Sequence, residues 1–484
     1  MTTLIPKYDL KDGGSTPAGA INRPINQKLS EIISVKDFGA TGDGVTDDTA
    51  AINAAIAALT ATPPDSAIGG TADAPVGGTI LFPNGTYVVT STIQVHTCIT
   101  LKSELISNKG QSENAYYGAT IVNNVSSGPA ILLYRGGAAI EGFRFLKNFA
   151  TAVEHIRCIS EFNRVRYCAF DSCQYAITIQ NQDTNVDPTG VEIDNCEFFH
   201  QNAIWPAASI FISGATAGNI RITNNNFNLN GGITGYVGTT CIRTDQTYTP
   251  TLYIVGNNFF NATYDGTTIY PLVDLKVNGS FIAYNSFGPP LPSNPANYYG
   301  LTIAGSNNVI TANTFGTWGG INVIAGTTDT EIGANYYIGV TTPVLDNGTL
   351  TDNFNQQAIT FTPTLTFSGS STGLTYTATG KYTKVRNVVT ASYYIQLSAI
   401  GSASGDNVIS LPITSSSGVS VSVSAGVVDY NNMSSIGNGL WCKVSPSSAV
   451  SFLQTGSSSA SSRLQASNFS NSSTLQFTIT YLSQ

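Results

Sequence analysis

AIEGFRF (139–145), FNRVRYCAF (162–170), VEIDNCEF (191–198), IRITNNNF (220–227), LYIVGNNF (252–259), FIAYNSF (281–287), NVITANTF (308–315) and EIGANYY (331–337) are one pattern repeated along the chain. Aligned on the closing aromatic (Phe145, Phe170, Phe198, Phe227, Phe259, Phe287, Phe315, Tyr337), the position five residues earlier is always β-branched: Ile140, Val165, Ile193, Ile222, Ile254, Ile282, Ile310, Ile332. Two before the aromatic stand Phe143, Cys168 and Cys196, then Asn225, Asn257, Asn285, Asn313 and Asn335. The aromatics recur mostly every 28 to 32 residues, and self-similarity at such a period marks a solenoid.

A second apolar run follows each pattern: AITIQ (176–180), SIFIS (209–213), CIRTD (241–245), LVDLKV (272–277), GLTIA (300–304) and INVIA (321–325). Two strands per repeat, separated by turns, stack as parallel strands coil on coil, which is a parallel β-helix. The aliphatic and aromatic columns then point inward. The Asn column reads as an amide ladder, each side chain bonding to the next coil and satisfying buried backbone groups.

Composition agrees with this shape. Charged residues make up 10% of the 484, well under the roughly 25% of ordinary globular chains. Gly (47), Asn, Ser, Thr and Tyr (23) fill the surface instead. Such a surface suits sugars, and equally a bare β-solenoid. The net charge of −8 excludes a general nucleic-acid binder, which needs a basic footprint. Arg is nevertheless concentrated: Arg135, Arg144, Arg157, Arg164, Arg166, Arg221 and Arg243 crowd one stretch, enough to hold an anionic polymer. The seven cysteines lack regular spacing and read as buried free thiols rather than a disulfide framework or zinc site. No secretory signal opens the chain, and no apolar run approaches a membrane span.

Around the repeats, residues 1–34 read as a polar N-terminal arm, 35–79 as a capping segment, 80–351 as the parallel β-helix, and 352–484 as a C-terminal antiparallel β-sandwich. In VKDFGATGDGVTDDTAAINAAIAAL (35–59), Thr46 or Asp47 can cap one amphipathic helix whose stripe is Ile52, Ile56 and Leu59. That stripe must lie on something apolar, and the open end of a solenoid needs such a cap. GGTILFPNGTYVV (77–89) reads as two strands around an Asn-Gly turn.

VKDFGATGDGVTDDTAAINAAI followed by GGTILFPNGTYVV closely resembles the start of the pectate-lyase-like β-helix superfamily as found in bacteriophage tailspikes. The preceding LIPKYDLKDGGSTPAGAINRPINQKLSEIISVKDFGA is similar to the entry segment of capsule depolymerases, and GLTYTATGKYTKVRNVVTASYYIQL to the β-sandwich that ends many tail spikes. The resemblance implies a right-handed parallel β-helix, a homotrimer, and a virion protein, made in host cytoplasm, that binds and usually cleaves bacterial capsular polysaccharide. It implies no cofactor, no nucleic acid and no membrane insertion. The chain departs from it at one point: the domain that docks such spikes to a virion attachment protein is missing or very short here. Either the chain is truncated or residues 1–34 reach that partner.

Several acids are candidates for chemistry. Asp37, Asp43, Asp47 and Asp48 read as turn and cap residues. Outward positions of the opening strand pair Arg164/Arg166 with Glu192/Asp194 and then Arg221 on successive coils. This is either an inter-coil charge ladder or an acid pair in an Arg-lined groove. Side chains two apart on a strand lie about 7 Å apart, in the range of inverting glycosidases. On the second strand, aligning Ile242 with Val273 sets Arg243 beside Asp274, and Asp245 beside Lys276. The longest loops lie here and carry Tyr236, Tyr264, Tyr270, Tyr298 and Tyr299, with Tyr248 and Trp318 nearby. These aromatics are platforms for sugar rings or for subunit packing. His155 and His200 could serve as a lyase base with Arg157 or Arg164 beside an enolate. The candidates are therefore Glu192, Asp194, Asp245 and Asp274 as catalytic acids, with Arg164, Arg166, Arg221, Arg243, Tyr248, Tyr264 and Trp318 on substrate and no metal. Hydrolysis leads, with β-elimination or binding alone as alternatives.

Overall fold

The computed structural model describes residues 7–8, 23–24, 32–59, 77–105, 118–147, 154–171, 174–181, 187–199, 208–214, 218–228, 240–245, 251–260, 270–288, 299–316, 320–340, 342–348, 351–353, 358–385, 388–415, 429–436, 440–445, 449–455 and 461–483. The chain forms two units, one of Met1–Thr330 with Ala334–Gly348 and one of Glu331–Gly333 with Thr349–Gln484.

The first unit is a parallel β-helix of three sheets. Sheet 1 stacks ten strands from Ile93–Val95 to Val344–Asp346, and sheet 3 stacks eleven from Asp43–Asp47 to Tyr336–Tyr337. Sheet 2 runs between them from Ile32–Ser34 through Val309–Thr311. One coil shows the order: Glu154–Cys158 in sheet 1, Arg164–Arg166 in sheet 2, Ala169–Asp171 in sheet 3.

The repeated pattern therefore spans two strands, not the single opening strand that the sequence suggests. The reason is geometric. Residues five apart on one straight strand face opposite ways, yet Ile222 and Phe227 are both fully buried. A corner residue between them turns the chain. It stands three before the aromatic and has positive φ in successive coils: Gly142, Tyr167, Asn195, Asn224, Gly256, Tyr284 and Ala312. The same logic corrects the Asn-Gly turn at 84–85. Gly78–Phe82 pairs in sheet 2 with Ile99–Ser103, and Gly85–Val89 pairs in sheet 3 with Ala119–Asn123, so the turn is a solenoid corner and not a hairpin.

Parallel pairing puts like on like. The Phe rings stack from Phe145 to Tyr337 with centroids 4.5 to 5.3 Å apart and planes within 21° of parallel. The coil rise of about 4.8 Å matches the spacing at which offset rings attract. Beside them the amides form the expected ladder. Asn225 N–H and Nδ2 both donate to Asn257 Oδ1 (2.9 and 3.0 Å), and Asn257, Asn285 and Asn313 repeat this onto the next Asn. Each Nδ2 also donates to a backbone carbonyl, as Asn257 does to Ile222 O at 2.8 Å. Where the column reads Cys, the thiols take over that donation: Cys196 Sγ lies 3.5 Å from Val165 O and Cys168 Sγ 3.8 Å from Ile140 O. The described cysteines are all free thiols, buried except for Cys98.

The cap is built from the acidic loop. The helix Thr49–Leu59 buries Ile52, Ala55 and Ile56. Buried Asp48 turns its carboxylate back onto Thr41 N–H (2.6 Å) and Gly42 N–H, while Asp47 accepts from Thr49 N–H at 3.0 Å. These carboxylates hold the loop and the helix start.

The second unit carries two antiparallel five-stranded sheets. The long strands Thr375–Val385 and Val388–Ala399 pair over their whole length, and Thr474–Leu482 joins the latter. Their inward residues, including Tyr393, Ile395, Phe477 and Ile479, bury a core with Phe452 and Leu464.

Candidate functional site

Connections locate the face where chemistry can be placed. Sheet 2 passes to sheet 3 through two residues, whereas residues 229–239, 261–272 and 288–298 separate sheet 3 from sheet 1. Long connections on a rigid scaffold are where binding residues concentrate, so the outward side of sheet 1 is the first place to look.

Register there builds one lateral column. Arg157, Thr178, Phe211, Arg243, Asp274, Thr302 and Asn322 are successive partners, and each step is about 4.8 Å. Arg243 is exposed and Asp274 half-buried. Loss of hydration pushes the Asp274 carboxyl above the ordinary carboxylate range, and the charges of Lys276 and Arg243 only partly pull it back. Asp245 follows the strand Thr240–Thr244, and its N–H reaches Ile212 O at 3.4 Å, which keeps it in line with the ladder. One coil before and two residues along, its Cα lies about 8 Å from that of Asp274 by the sheet lattice.

An aromatic surface adjoins these acids. The Tyr175 and Phe211 rings stack at 4.8 Å with planes 19° apart, and the Arg243 guanidinium lies 6.0 Å from the Phe211 centroid. Burial raises the Tyr175 hydroxyl, with Arg243 opposing and Glu154 and Asp245 reinforcing, so these groups share one electrostatic field. Glu154 itself is clamped by Arg157 through two 2.7 Å hydrogen bonds. Tyr175 and Phe211 escape a sequence reading because their contact is diagonal across the coils: Tyr175 is level with Ala208, not Phe211.

Sheet 2 carries the other acid pair as the sequence aligns it, with Glu192 between Arg164 and Arg221 and Asp194 beside Arg166. Three guanidiniums converge on Glu192. Arg166 Nη2 bonds Oε2, Arg164 Nε lies 3.8 Å from Oε2, and Arg221 Nη1 lies 3.4 Å from Oε1. Asp194 is held by neutral donors: Thr223 Oγ1 at 2.6 Å, Asn224 Nδ2 at 3.1 Å and Asn195 Nδ2 at 2.7 Å. The two acids of sheet 2 are thus ladder partners, and they lie on a different sheet from Asp245 and Asp274.

His155 is placed where it cannot meet a substrate. It is fully buried, with its ring 5.5 Å from Phe145 and 6.1 Å from Phe170, and burial pushes its pKa down to about 4. Asn123 Nδ2 and Asp171 O bracket its ring nitrogens at 3.4 and 3.2 Å. Tyr270 and Tyr299 are half-buried. Tyr236, Tyr248, Tyr264, Tyr298, Trp318 and His200 lie outside the described residues. Among the described residues, no group of three or more His, Cys, Asp or Glu is placed to hold a metal ion, and no helix is long and apolar enough to cross a membrane.

Residues 32–268 match the family model described as rhamnogalacturonase A/epimerase, pectate lyase-like. The three parallel sheets make this span a parallel β-helix that is similar to the pectate-lyase-like class. The chain is similar to a tail spike protein of an Escherichia phage, 60% identical over 40 residues. It is also similar to the mannuronan C5-epimerase AlgE1 of Azotobacter vinelandii, 45% identical over 73 residues. The matched segments cover 8% and 15% of this chain and only 5% and 4% of those proteins. Among solved structures, the Dettilon tailspike protein superposes over 95% of both chains at 14% identity and a TM-score of 0.46.

Proposed function

We propose that this protein is a phage tailspike that binds bacterial capsular polysaccharide and hydrolyses its glycosidic bonds on the outward face of sheet 1. The observation that carries the reading is Asp274: a half-buried carboxyl, raised by lost hydration, in register with an exposed Arg243. A carboxyl that holds its proton more tightly than an ordinary one is better suited to act as a general acid. Asp274 protonates the leaving oxygen. Asp245, its Cα about 8 Å away on the sheet lattice, activates water from the opposite side. That separation suits inversion, where a water must fit between acid and base. Arg243 and the Tyr175–Phe211 stack seat the sugar beside them. No step requires a cofactor.

Similarity to a phage tail spike over the 40 matched residues supports a virion location, and the reading takes the working particle as a homotrimer on the phage tail. Glu192 and Asp194 are not placed in the reaction, because the arginines and amides of sheet 2 already engage them.

The test is direct. Capsule from the phage host, incubated with the protein, falls in molar mass and gains reducing ends. A lyase would instead generate an unsaturated uronic end absorbing near the far-ultraviolet edge, and a spike that only binds would leave the polymer intact.

A further inference from the structure

Tyr87, Ile121 and Phe145 face the interior on successive coils of sheet 3, and two residues along each strand stand Val89, Asn123 and Lys147. Side chains two apart on a strand share a face, so these three also point inward. Register makes Asn123 and Lys147 direct partners on the adjacent strands Ala119–Asn123 and Arg144–Lys147. Both are buried, Asn123 at 1% and Lys147 at 9% exposure. Lysine is among the residues least often buried, and here its neighbour in the column is a carboxamide.

His155 completes the group. Its Nε2 lies 3.2 Å from Asp171 O, an atom that only accepts, so Nε2 carries the proton and Nδ1 keeps its lone pair. That lone pair faces Asn123 Nδ2 at 3.4 Å, and Nδ2 donates its other hydrogen to Glu154 O at 2.9 Å. Burial first, and the charge of Lys147 besides, keep the imidazole neutral, which sets Lys147 within electrostatic reach of the ring. The Asn123 amide oxygen accepts from Val125 N–H at 3.0 Å. Phe145 and Phe170 close over the imidazole, with centroids 5.5 and 6.1 Å away. Desolvation favours the neutral form of an amine, which is its nucleophilic form. One dry place thus holds the parts of an acyl transfer: an amine, an amide carbonyl, a donor on the carbonyl oxygen, and a neutral base beside the nitrogen that must leave.

We propose that Lys147 and Asn123 join in an isopeptide bond between adjacent coils of sheet 3, formed by the folded chain itself. Lys147 Nζ, as the neutral amine, attacks Asn123 Cγ, and the negative charge that develops on Oδ1 is met by Val125 N–H. His155 Nδ1 takes the proton released from Nζ and returns it to Nδ2. The Cγ–Nδ2 bond breaks and ammonia leaves. One C–N bond replaces another, one proton moves, and nothing is oxidised or reduced. Partners on adjacent strands have Cα atoms about 4.8 Å apart, which a lysine side chain spans. The bond closes the chain between residues 123 and 147, and so restrains the unfolded state as a disulfide would. The described cysteines are all free thiols, so this cross-link serves a solenoid made under reducing conditions. It is independent of the reaction on sheet 1.

Mass spectrometry of the full-length chain, denatured after purification, tests this. The wild type should be lighter than its sequence by one ammonia. Proteolysis should release one branched peptide in which the segment containing Asn123 is tied to the segment containing Lys147. Lys147→Gln and Asn123→Ala should each restore the sequence mass. Asn123→Asp, which sheds water instead of ammonia, should give the same branched product, and this readout stands even where the other variants fold poorly. His155→Gln should slow linkage by about 10²–10⁴-fold, read as the linked fraction against time after synthesis. D274N should carry the bond like the wild type, which separates this proposal from the cleavage reading. A wild-type chain at its full sequence mass overturns the proposal. So does an ammonia loss that maps to a linear peptide, the mark of a cyclised asparagine. Linkage at the wild-type rate in His155→Gln would overturn the role of the imidazole.

Discussion

Arg243 and Asp274 are in-register partners on adjacent coils of sheet 1, and the arginine is exposed while the acid is half-buried. Their opposition tunes the acid: lost hydration lifts the carboxyl, and Lys276 with Arg243 holds it partly down. A parallel β-helix makes such a pair rigid, because each residue is fixed by ladders on both sides.

Asp274→Asn keeps the shape of the side chain and removes its proton donation. Loss of general acid catalysis typically costs about 10²–10⁴-fold. Depolymerisation measured by reducing ends should fall by that order, with the melting temperature moved by no more than a few degrees. Asp245→Asn should show the same split, whereas Asp194→Asn should retain most of the rate.

Arg243→Gln tests the pairing through pH. In the proposed reaction Asp274 acts while protonated, so activity declines as pH rises past its pKa. Arg243 lowers that pKa, and its removal should carry the alkaline limb of the rate profile to higher pH even as the rate itself drops. A limb that stays in place would remove Asp274 from the role of acid.

His155 gives the fold its own pH dependence. Its folded pKa of about 4 lies below the ordinary histidine value of 6.5, so the neutral ring is the form the interior accepts. The stabilisation is complete above pH 6.5 and is lost as pH falls from there towards 4. The loss amounts to about 3 kcal/mol at most. Urea denaturation on either side of that window, at about pH 7.5 and about pH 4.5, should show this decline, and His155→Gln should flatten it.

Asn257→Ala breaks the amide ladder. Asn225 loses the acceptor of its N–H and Nδ2, and Ile222 O loses its donor. Buried groups left unpaired cost about 1–3 kcal/mol each, so the β-helix transition should shift down by several degrees without altering the sheet 1 site in the folded fraction.

Much of this was legible in the residues. Ile222 and Phe227 announce the period, Asn225 and Asn257 the ladder, and aligning Ile242 on Val273 already sets Arg243 beside Asp274. The corner between Ile222 and Phe227 was not legible, because positive φ at Asn224 is a backbone property that Tyr167 and Ala312 share with Gly256. Burial was equally hidden. His155 reads as a possible base in sequence, and only the packed rings of Phe145 and Phe170 show that it is sealed. Asp274 looks like Asp194 until hydration is accounted for. The Tyr175–Phe211 stack is diagonal, and a column alignment passes over it.

The central claim is that sheet 1 hydrolyses a capsule, and light scattering coupled to size exclusion tests it most directly. Host capsule incubated with wild-type protein should fall in molar mass, with reducing ends but no unsaturated uronate absorbance, and D274N should leave it at full length. A polymer unchanged by the wild type, or one cut equally by D274N, would contradict the account.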